Sequence, residues 1–385
     1  MSNEQAGGGP QVTERSAAEV RKYARRRYAL VIGHLVLGIA FLVAMLAGGS
    51  AKVGAEARDI AGPDAFLLTV FLYFAGFSLV YLVVSLPLSF YSEYVLEHQF
   101  GLSNQTVANW ARRRAKKWFY SFVVVAPLVL MIYWTLDNCG KNWWIPAAVV
   151  WLLVSYVLTK FAPRILIPIF YKLEPVGDEA LVIRLTALAA KAGIRLAAVC
   201  RIDLSRETKK ANAAVVGMGS TRRVVLGDTL LAGFTHDEIA AVFAHELGHI
   251  VHKDVIKGFL LAGVLTVGGL FAGSLVMEKA IIELGIKKVS DPETFPILIA
   301  VLAGLQLLVM PLGKWHSRRR ERESDRYAIT TTGARDAFIS AMRKLGAMNL
   351  ADVRPNKLAE IFLFSHPPIS KRIHFAATLD LGDTK

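Results

Sequence analysis

The sequence predicts a mainly α-helical, polytopic membrane protein: a bundle of about six transmembrane helices with an α+β segment on its cytoplasmic side. The first observation is composition, since 54% of the 385 residues are hydrophobic and only 20% are charged. That is too apolar for an ordinary soluble domain of this length. The second is a set of six long apolar stretches. The third is a mixed polar and apolar segment between the fourth and fifth of them.

Each apolar stretch is close to the roughly 20 residues that a helix needs to cross a bilayer. We therefore expect six spans and a lipid bilayer as a partner. The stretches are Tyr28–Gly48, Ala65–Phe90, Trp118–Leu136, Trp143–Phe161, Gly258–Met277 and Phe295–Leu312.

The positive charge predicts an orientation rather than a nucleic-acid partner. The formal charge is +14, but the basic residues lie beside the apolar stretches and form no face interleaved with aromatic residues. They cluster before the first stretch, after the second and after the sixth. By the positive-inside rule, both termini and the long segment between the fourth and fifth spans are cytoplasmic.

This pattern divides the chain into five parts, and we expect its two polar segments to fold together against the bundle. The parts are a disordered cytoplasmic tail (1–27), a four-helix membrane region (28–170), a cytoplasmic segment (171–257), two further transmembrane helices (258–313) and a second cytoplasmic segment (314–385).

Local patterns predict the elements of the first polar segment. Leu181–Gly193 is amphipathic and helical, whereas Leu196–Leu204 and Arg223–Leu226 are rich in Val, Ile and Leu and predict strands. Thr235 is followed three positions later by Glu238, the spacing of a capping box, so a helix should start there. Neither Pro nor a loop cluster follows before the fifth span, so we expect this helix to continue into it.

The predicted helix carries the sequence A-H-E-L-G-H-I, residues 244–250. His245 and His249 are four residues apart and can direct their rings at one ion, while Glu246 can reach a water held there. This is the H-E-x-x-H pattern of zinc metallopeptidases, with two metal ligands and a general base. Gly248 lowers helix stability and makes sense where another segment must approach. The structural alternative is a solvated histidine pair on a charged helix.

Zinc catalysis needs a third protein ligand and an open fourth position. The downstream candidates are Glu321, Glu323, Asp325, His316 and His366. Residues 317–328 are predicted to be helical, so Glu321 and Asp325 share one face and Glu323 points away. We therefore expect Glu321 to bind the metal and Asp325 to orient a ligand histidine. The alternative is a salt-bridged start of a cytoplasmic helix.

Several motifs together resemble the type 1 CAAX prenyl endopeptidase family of integral-membrane zinc metalloproteases. The resemblance covers about residues 65–376, with the motifs in the family's order. They are H-E-L-G-H, E-R-E-S-D, V-L-E-H-Q-F-G-L-S-N-Q-T (95–106), A-N-A-A-V-V-G-M-G (211–219), V-V-L-G-D-T-L-L (224–231) and S-H-P-P-I-S-K-R-I (365–373).

The resemblance implies a zincin-like (gluzincin) α+β catalytic domain with one zinc ion per chain, and it places Glu321 and Asp325 on the family's E-x-x-x-D pair. It implies that Asn212 holds the substrate backbone, where an extended peptide would pair with an edge strand. It also implies that His366 and Arg372 stabilise the oxyanion or bind the substrate. A turn residue at Asn212 and C-terminal packing contacts at the other two positions are the alternatives.

The chain departs from the family in two ways. Eukaryotic members have seven spans around a large chamber, against six here, and Ala213-Ala214 stands where the family has an aromatic residue. We expect a zinc endopeptidase acting on peptide or protein substrates that are membrane-associated or lipidated, and the shorter bundle favours a bacterial inner membrane over the endoplasmic reticulum.

Two other functions remain open. One is a metalloprotease for quality control of membrane proteins. The other is a channel or transporter with a structural zinc, against which the scarcity of ionisable groups in the spans counts.

Overall fold

The computed structural model describes residues 17–283 and 285–381. Within these ranges, six helical segments are long and apolar enough to cross a membrane, which confirms the predicted mainly α bundle. The spans comprise α1 (Ala17–Ala44) with α2 (Ser50–Ala61), α3 (Phe66–Phe90) with α4 (Leu96–Gln99), α5 (Val107–Asn138), α6 (Trp144–Phe170), α10 (Asp254–Glu283) and α11 (Phe295–Thr332).

The first helix begins earlier than predicted. Residues 1–16 of the predicted disordered tail lie outside the described residues, whereas residues 17–27 form the start of α1. Tertiary contacts stabilise this helical turn: Tyr23 is buried, its hydroxyl donates to Glu97 Oε1 at 2.6 Å, and its ring packs edge-on against Phe100 at 5.1 Å. Composition alone does not reveal such contacts.

Aromatic packing holds the membrane bundle together. Phe295, at the start of α11, meets Phe74 and Phe77 of α3 edge-on, with ring centroids 5.6 and 4.9 Å apart. At the same end of the bundle, Arg58 of α2 forms an ion pair with Glu293. These contacts fix the position of α11, whose other end carries Glu321 outside the predicted apolar span.

The α+β segment contains a four-stranded sheet in the order β1-β2-β4-β3, with β2 and β4 parallel and the other pairs antiparallel. Strand β3 therefore lies at an edge, which leaves one side of it open. The strands predicted from local patterns correspond to β2 and β4. Local patterns predicted neither β1 nor β3, although the resemblance implied an edge strand at Asn212, immediately before β3. The strands are β1 (Leu173–Pro175), β2 (Ala198–Ile202), β3 (Ala213–Val216) and β4 (Arg223–Gly227).

Six further helices belong to the polar segments, and one of them is the predicted amphipathic helix, α7. Leu185 of α7 and Phe243 of α9 are fully buried in one shared core. The helices are α7 (Glu179–Lys191), α8 (Asp228–Gly233), α9 (His236–Val251), α12 (Arg335–Met348), α13 (Lys357–Leu363) and α14 (Ile369–Thr378).

The predicted capping box forms at the start of α9. Thr235 Oγ1 accepts from the Glu238 backbone N–H, and Glu238 Oε2 accepts from the Thr235 N–H at 2.7 Å. The Glu238 carboxylate also accepts from Lys344 Nζ at 2.7 Å and from Ser340 Oγ at 2.6 Å. The cap thus joins α9 to α12 as well as starting the helix.

The expected continuity of this helix into the fifth span is wrong. Helix α9 ends at Val251, and α10 begins at Asp254. Lys253 has a φ of 56°, and such a left-handed residue ends a helix. The N–H groups of His252 and Lys253 still bond back to Gly248 and Ile250, so the break needs neither Gly nor Pro.

We predict that Glu238 makes the cap sensitive to pH. Although its burial alone would raise the pKa of Glu238, the bonds from Lys344, Ser340 and Thr235 hold that pKa below its ordinary value. Because the unfolded pKa is about 4.3, the carboxylate stabilises the fold fully above that pH and less as pH falls through the lower folded pKa. Glu238→Gln should lose about 1.5–3 kcal/mol at pH 7.

Thermal unfolding at pH 7 and below pH 4 measures this difference, which should shrink in acid. Asp237→Asn is the matched control, because Asp237 lies on the same turn of α9 as Glu238. Its ion pair with Arg184 of α7 is exposed and should contribute at most about 1 kcal/mol. An equal loss at both pH values would contradict the account.

Candidate metal centre and active site

Helices α9 and α11 cross at Gly248 and Ser324. A Cβ atom on Gly248 would lie 2.9 Å from the Cα and 3.1 Å from the Cβ of Ser324, closer than side chains normally tolerate. Only a hydrogen in place of a side chain permits this approach, which accounts for a helix-weakening glycine inside the motif. The close crossing brings Glu321 of α11 next to the two histidines of α9.

Three side chains converge on one point at this crossing. The Nε2 atoms of His245 and His249 are 3.2 Å apart. Glu321 Oε2 lies 3.2 Å from His245 Nε2, and Glu321 Oε1 lies 3.4 Å from His249 Nε2. The three residues form a group with potential ligand atoms within 4.8 Å of one another, and His245 and Glu321 are buried.

The spacing of these atoms fits a tetrahedral metal ion. Nitrogen and oxygen ligands of tetrahedral zinc are about 3.3–3.5 Å apart, given bond lengths of about 2.0–2.2 Å. Glu321 Oε2 is buried without a hydrogen bond of good geometry, even though His366 Nδ1 is only 2.7 Å away. Two imidazoles and one carboxylate suit zinc and leave a fourth position for water.

A carboxylate and an arginine support His245 from behind. Its Nδ1 lies 2.9 Å from Asp325 Oδ1, and Asp325 is completely buried. Arg372 donates to both oxygens of Asp325, from Nε at 2.9 Å and from Nη2 at 2.5 Å. The structure thus brings the predicted orienting residue, Asp325, to one of the two motif histidines, and it places Arg372 beside Asp325.

His249 has a similar pair of supports, which were not predicted. Its Nδ1 lies 2.8 Å from Asp254 Oδ2 and 3.1 Å from Ser324 Oγ, and Asp254 in turn contacts Arg320 of α11. On an unbroken helix, residue 254 would lie about 140° around the axis from residue 249, at 3.6 residues per turn. The only available sequence signal was an Asp five residues after the motif, and the assumption of a continuous helix obscured it.

Glu246 follows His245 and is half-buried beside the donors. Burial raises the pKa of its carboxyl above the ordinary value, while the neighbouring histidines act in the opposite direction. Within the described part of the chain, no hydrogen bond or ion pair engages this carboxylate. Glu246 is therefore available to a substrate or a water molecule.

The other candidate residues occupy different places. His366 is 58% exposed and contacts Glu321, whereas Glu323 pairs with Arg319 on the surface. Asn212 lies just before edge strand β3 with an exposed side chain, and no contact among the described residues joins it to the three donors. His316 contacts Arg320 rather than the donors.

Three cavities lie along α1, and neighbouring cavities share lining residues. A 500 Å³ cleft is lined by His366 and Arg372 and shares Arg27 and Val31 with a polar cavity of 410 Å³. The polar cavity shares His34 and Arg114 with a mostly apolar cavity of 830 Å³ among the membrane helices.

Fold and donor geometry together define an integral-membrane metallopeptidase. Residues 178–379 match peptidase family M48, and residues 9–172 match the CAAX prenyl protease N-terminal family, described as five membrane helices. The chain belongs to peptidase family M48. It is a multi-pass membrane metalloendopeptidase that requires a metal and acts on peptide or protein substrates.

Known relatives agree with this assignment. The uncharacterized metalloprotease YhfN of Bacillus subtilis is 31% identical over 87% of this chain and 79% of its own. CAAX prenyl protease 1 of Saccharomyces cerevisiae is 28% identical over 76% of this chain and 68% of its own. The crystal structure of S. mikatae Ste24p shares the fold, with a TM-score of 0.85 at 21% identity over 97% of this chain and 93% of the other.

The crossing predicts a specific effect of Gly248→Ala. The added methyl must push Ser324 away, at a cost of about 1–3 kcal/mol for overpacking, and Glu321 moves with it. Zinc bound per chain after dialysis should fall. Gly258→Ala is the control, because a Cβ there meets nothing within 4 Å. Unchanged zinc content in Gly248→Ala would contradict the proposed role of the crossing.

Proposed function

We propose that this protein is a zinc endopeptidase that cleaves peptide bonds in membrane-associated or lipid-bearing substrates at the cytoplasmic face of the membrane. The observation that carries the proposal is the convergence of His245, His249 and Glu321 beside an unengaged Glu246. One zinc ion per chain would be held by the three donors. When bound, zinc lowers the pKa of a water ligand to about 7 and polarises the scissile carbonyl.

The surrounding residues would divide the remaining chemistry. Glu246 takes a proton from the attacking water and passes it to the leaving amine. His366, exposed at the cleft, donates to the developing oxyanion. Arg372 is engaged by Asp325, which supports a role in holding that carboxylate behind His245; the substrate-binding role implied by the resemblance stays a prediction.

Strand β3 would bind the substrate backbone. It lies at the sheet edge, so an extended peptide can add to it through main-chain hydrogen bonds, with Asn212 at its start. Asn349 fixes the backbone of Ala211, the residue before Asn212, since Asn349 Oδ1 accepts from the Ala211 N–H at 3.1 Å. The small Ala213 and Ala214 leave the wall of this strand without an aromatic side chain.

The linked cavities support a lipid-bearing substrate. The 830 Å³ apolar cavity among the membrane helices could hold the lipid chain of a substrate whose peptide lies in the 500 Å³ cleft. Relatives named CAAX prenyl proteases support a prenyl group as that chain. The basic clusters support a cytoplasmic site, and a six-span bundle favours a bacterial inner membrane.

We predict that Glu246→Gln keeps zinc but loses peptidase activity by about 10²–10⁴-fold, the contribution of a general base. A quenched peptide reporter measures activity, and elemental analysis measures zinc. Glu321→Ala should lose both zinc and activity. Full activity in Glu246→Gln would refute the assignment of the base.

A second prediction concerns the apolar cavity. Gly38 lines it, and a Cβ there meets nothing within 4 Å, so the side chain of Gly38→Phe should project into the cavity and occupy part of it. Cleavage of a farnesylated peptide should fall, while cleavage of its unlipidated twin should not change. Gly268→Phe, on the exposed side of α10, is the matched control.

Equal cleavage of the two peptides by the unaltered protein would instead favour quality-control proteolysis of membrane proteins. Equal loss for both peptides in Gly38→Phe would contradict the lipid path.

A further inference from the structure

The break between α9 and α10 brings Asp254 back toward the metal site. Lys253 has a φ of 56°, a conformation that a residue with a side chain rarely adopts. Such strain persists where the surroundings fix it, and it is concentrated at functional sites. What the break achieves here is a contact of 2.8 Å between Asp254 Oδ2 and His249 Nδ1.

Asp254 is itself held in place. Its other oxygen, Oδ1, contacts Nη2 of Arg320, and the two side chains are only 10% and 9% exposed. Arg320 Nε is buried and has no hydrogen bond, and Nη1 lies 3.2 Å from His316 Nε2. Among the described residues, Asp254 is the carboxylate that pairs with the guanidinium. A charge pair sequestered in this way is well placed to fix a side chain, because breaking it leaves the remaining charge uncompensated.

The arrangement repeats the one behind His245. There the order is His245, Asp325, Arg372, and here it is His249, Asp254, Arg320. The two supports differ in origin: Asp325 is on α11, whereas Asp254 is the first residue of a membrane span. A ligand histidine whose second nitrogen faces a carboxylate is held in one tautomer and one ring orientation.

We propose that Asp254, fixed by Arg320, is a positioning residue that holds His249 in its metal-binding orientation and so links the spans α10 and α11 to the metal centre. The inference rests on the proposed zinc site, because it assumes that His249 Nε2 binds the ion. It assigns a purpose to the helix break. It also explains a buried arginine so close to three metal-binding side chains.

The test is the zinc dissociation constant of the full-length protein in detergent, measured by competition with a chromogenic chelator. Asp254→Ala should weaken zinc binding about 10–100-fold, the usual effect of removing such a partner. Asp254→Asn keeps an acceptor for His249, so its zinc binding should be weakened less than that of Asp254→Ala. Asp237→Ala is the control, since Asp237 is an exposed acid on α9 that pairs with Arg184, away from the donors.

A double-mutant cycle separates positioning from a general structural role. If Arg320 acts through Asp254, the single variant Arg320→Met should bind zinc more weakly than the unaltered protein. The double variant should bind zinc no more weakly than Asp254→Ala does. Cobalt substitution gives a second readout, because the visible spectrum of the bound ion should shift in Asp254→Ala. The thermal midpoints of the metal-free variants show whether weaker zinc binding comes from unfolding. If Asp254→Ala is unfolded, the zinc affinity of Asp254→Asn is compared with that of the unaltered protein instead.

The outcomes distinguish the two levels of proposal. If the unaltered protein binds no zinc, the proposed function fails. If it binds one zinc and Asp254→Ala binds as tightly, the proposed function stands and the positioning role is wrong. Additive effects of Arg320→Met and Asp254→Ala would likewise overturn the claim that the arginine acts through the aspartate.

Discussion

The close crossing of α9 and α11 at Gly248 and Ser324 is the contact on which the site depends. The two histidines of the candidate metal site lie on one helix and its carboxylate on another, more than seventy residues later in the chain. Their candidate ligand atoms can share an ion only if the two helix backbones approach closely. The absence of a side chain at Gly248 permits this approach to Ser324. The capping box at Thr235 fixes the start of α9, and the aromatic packing of Phe295 fixes the start of α11.

Helix α11 combines two functions that are often separate. Its first part crosses the membrane, and its continuation outside the apolar stretch carries Glu321, Ser324 and Asp325 on the face toward α9. The membrane bundle therefore orients the metal site directly, without a flexible linker between span and site. The break before α10 gives the other neighbouring span a contact with the same site, through Asp254.

Much of this arrangement could be predicted from the sequence. Six apolar stretches gave six spans, the Thr235–Glu238 spacing gave the cap, and helical periodicity selected Glu321 and Asp325 over Glu323. These features are local, so a single segment contains the information. The functional importance of Gly248 could also be inferred, because a glycine inside a helix requires a reason.

Features that depend on contacts between distant segments could not be predicted. The turn at Lys253 has no Gly or Pro to mark it, and on a continuous helix Asp254 would face away from the histidines. Residues 17–27 have the composition of a polar tail. The contacts of Tyr23 with Glu97 and Phe100 hold them in α1. Strand β3 is too short for a local pattern to predict, and the edge strand expected at Asn212 came from the family resemblance alone. The three cavities lie between segments that are far apart in the chain.

X-ray absorption at the zinc edge of the purified protein tests the central claim most directly. The account predicts one zinc per chain with three nitrogen or oxygen ligands from the protein, two of them giving the scattering pattern of imidazole rings, and a fourth light atom from solvent, all at about 2.0–2.2 Å. Sulfur at about 2.3 Å, or fewer than two imidazoles, would contradict it, because the ion would then lie elsewhere than at the crossing of α9 and α11.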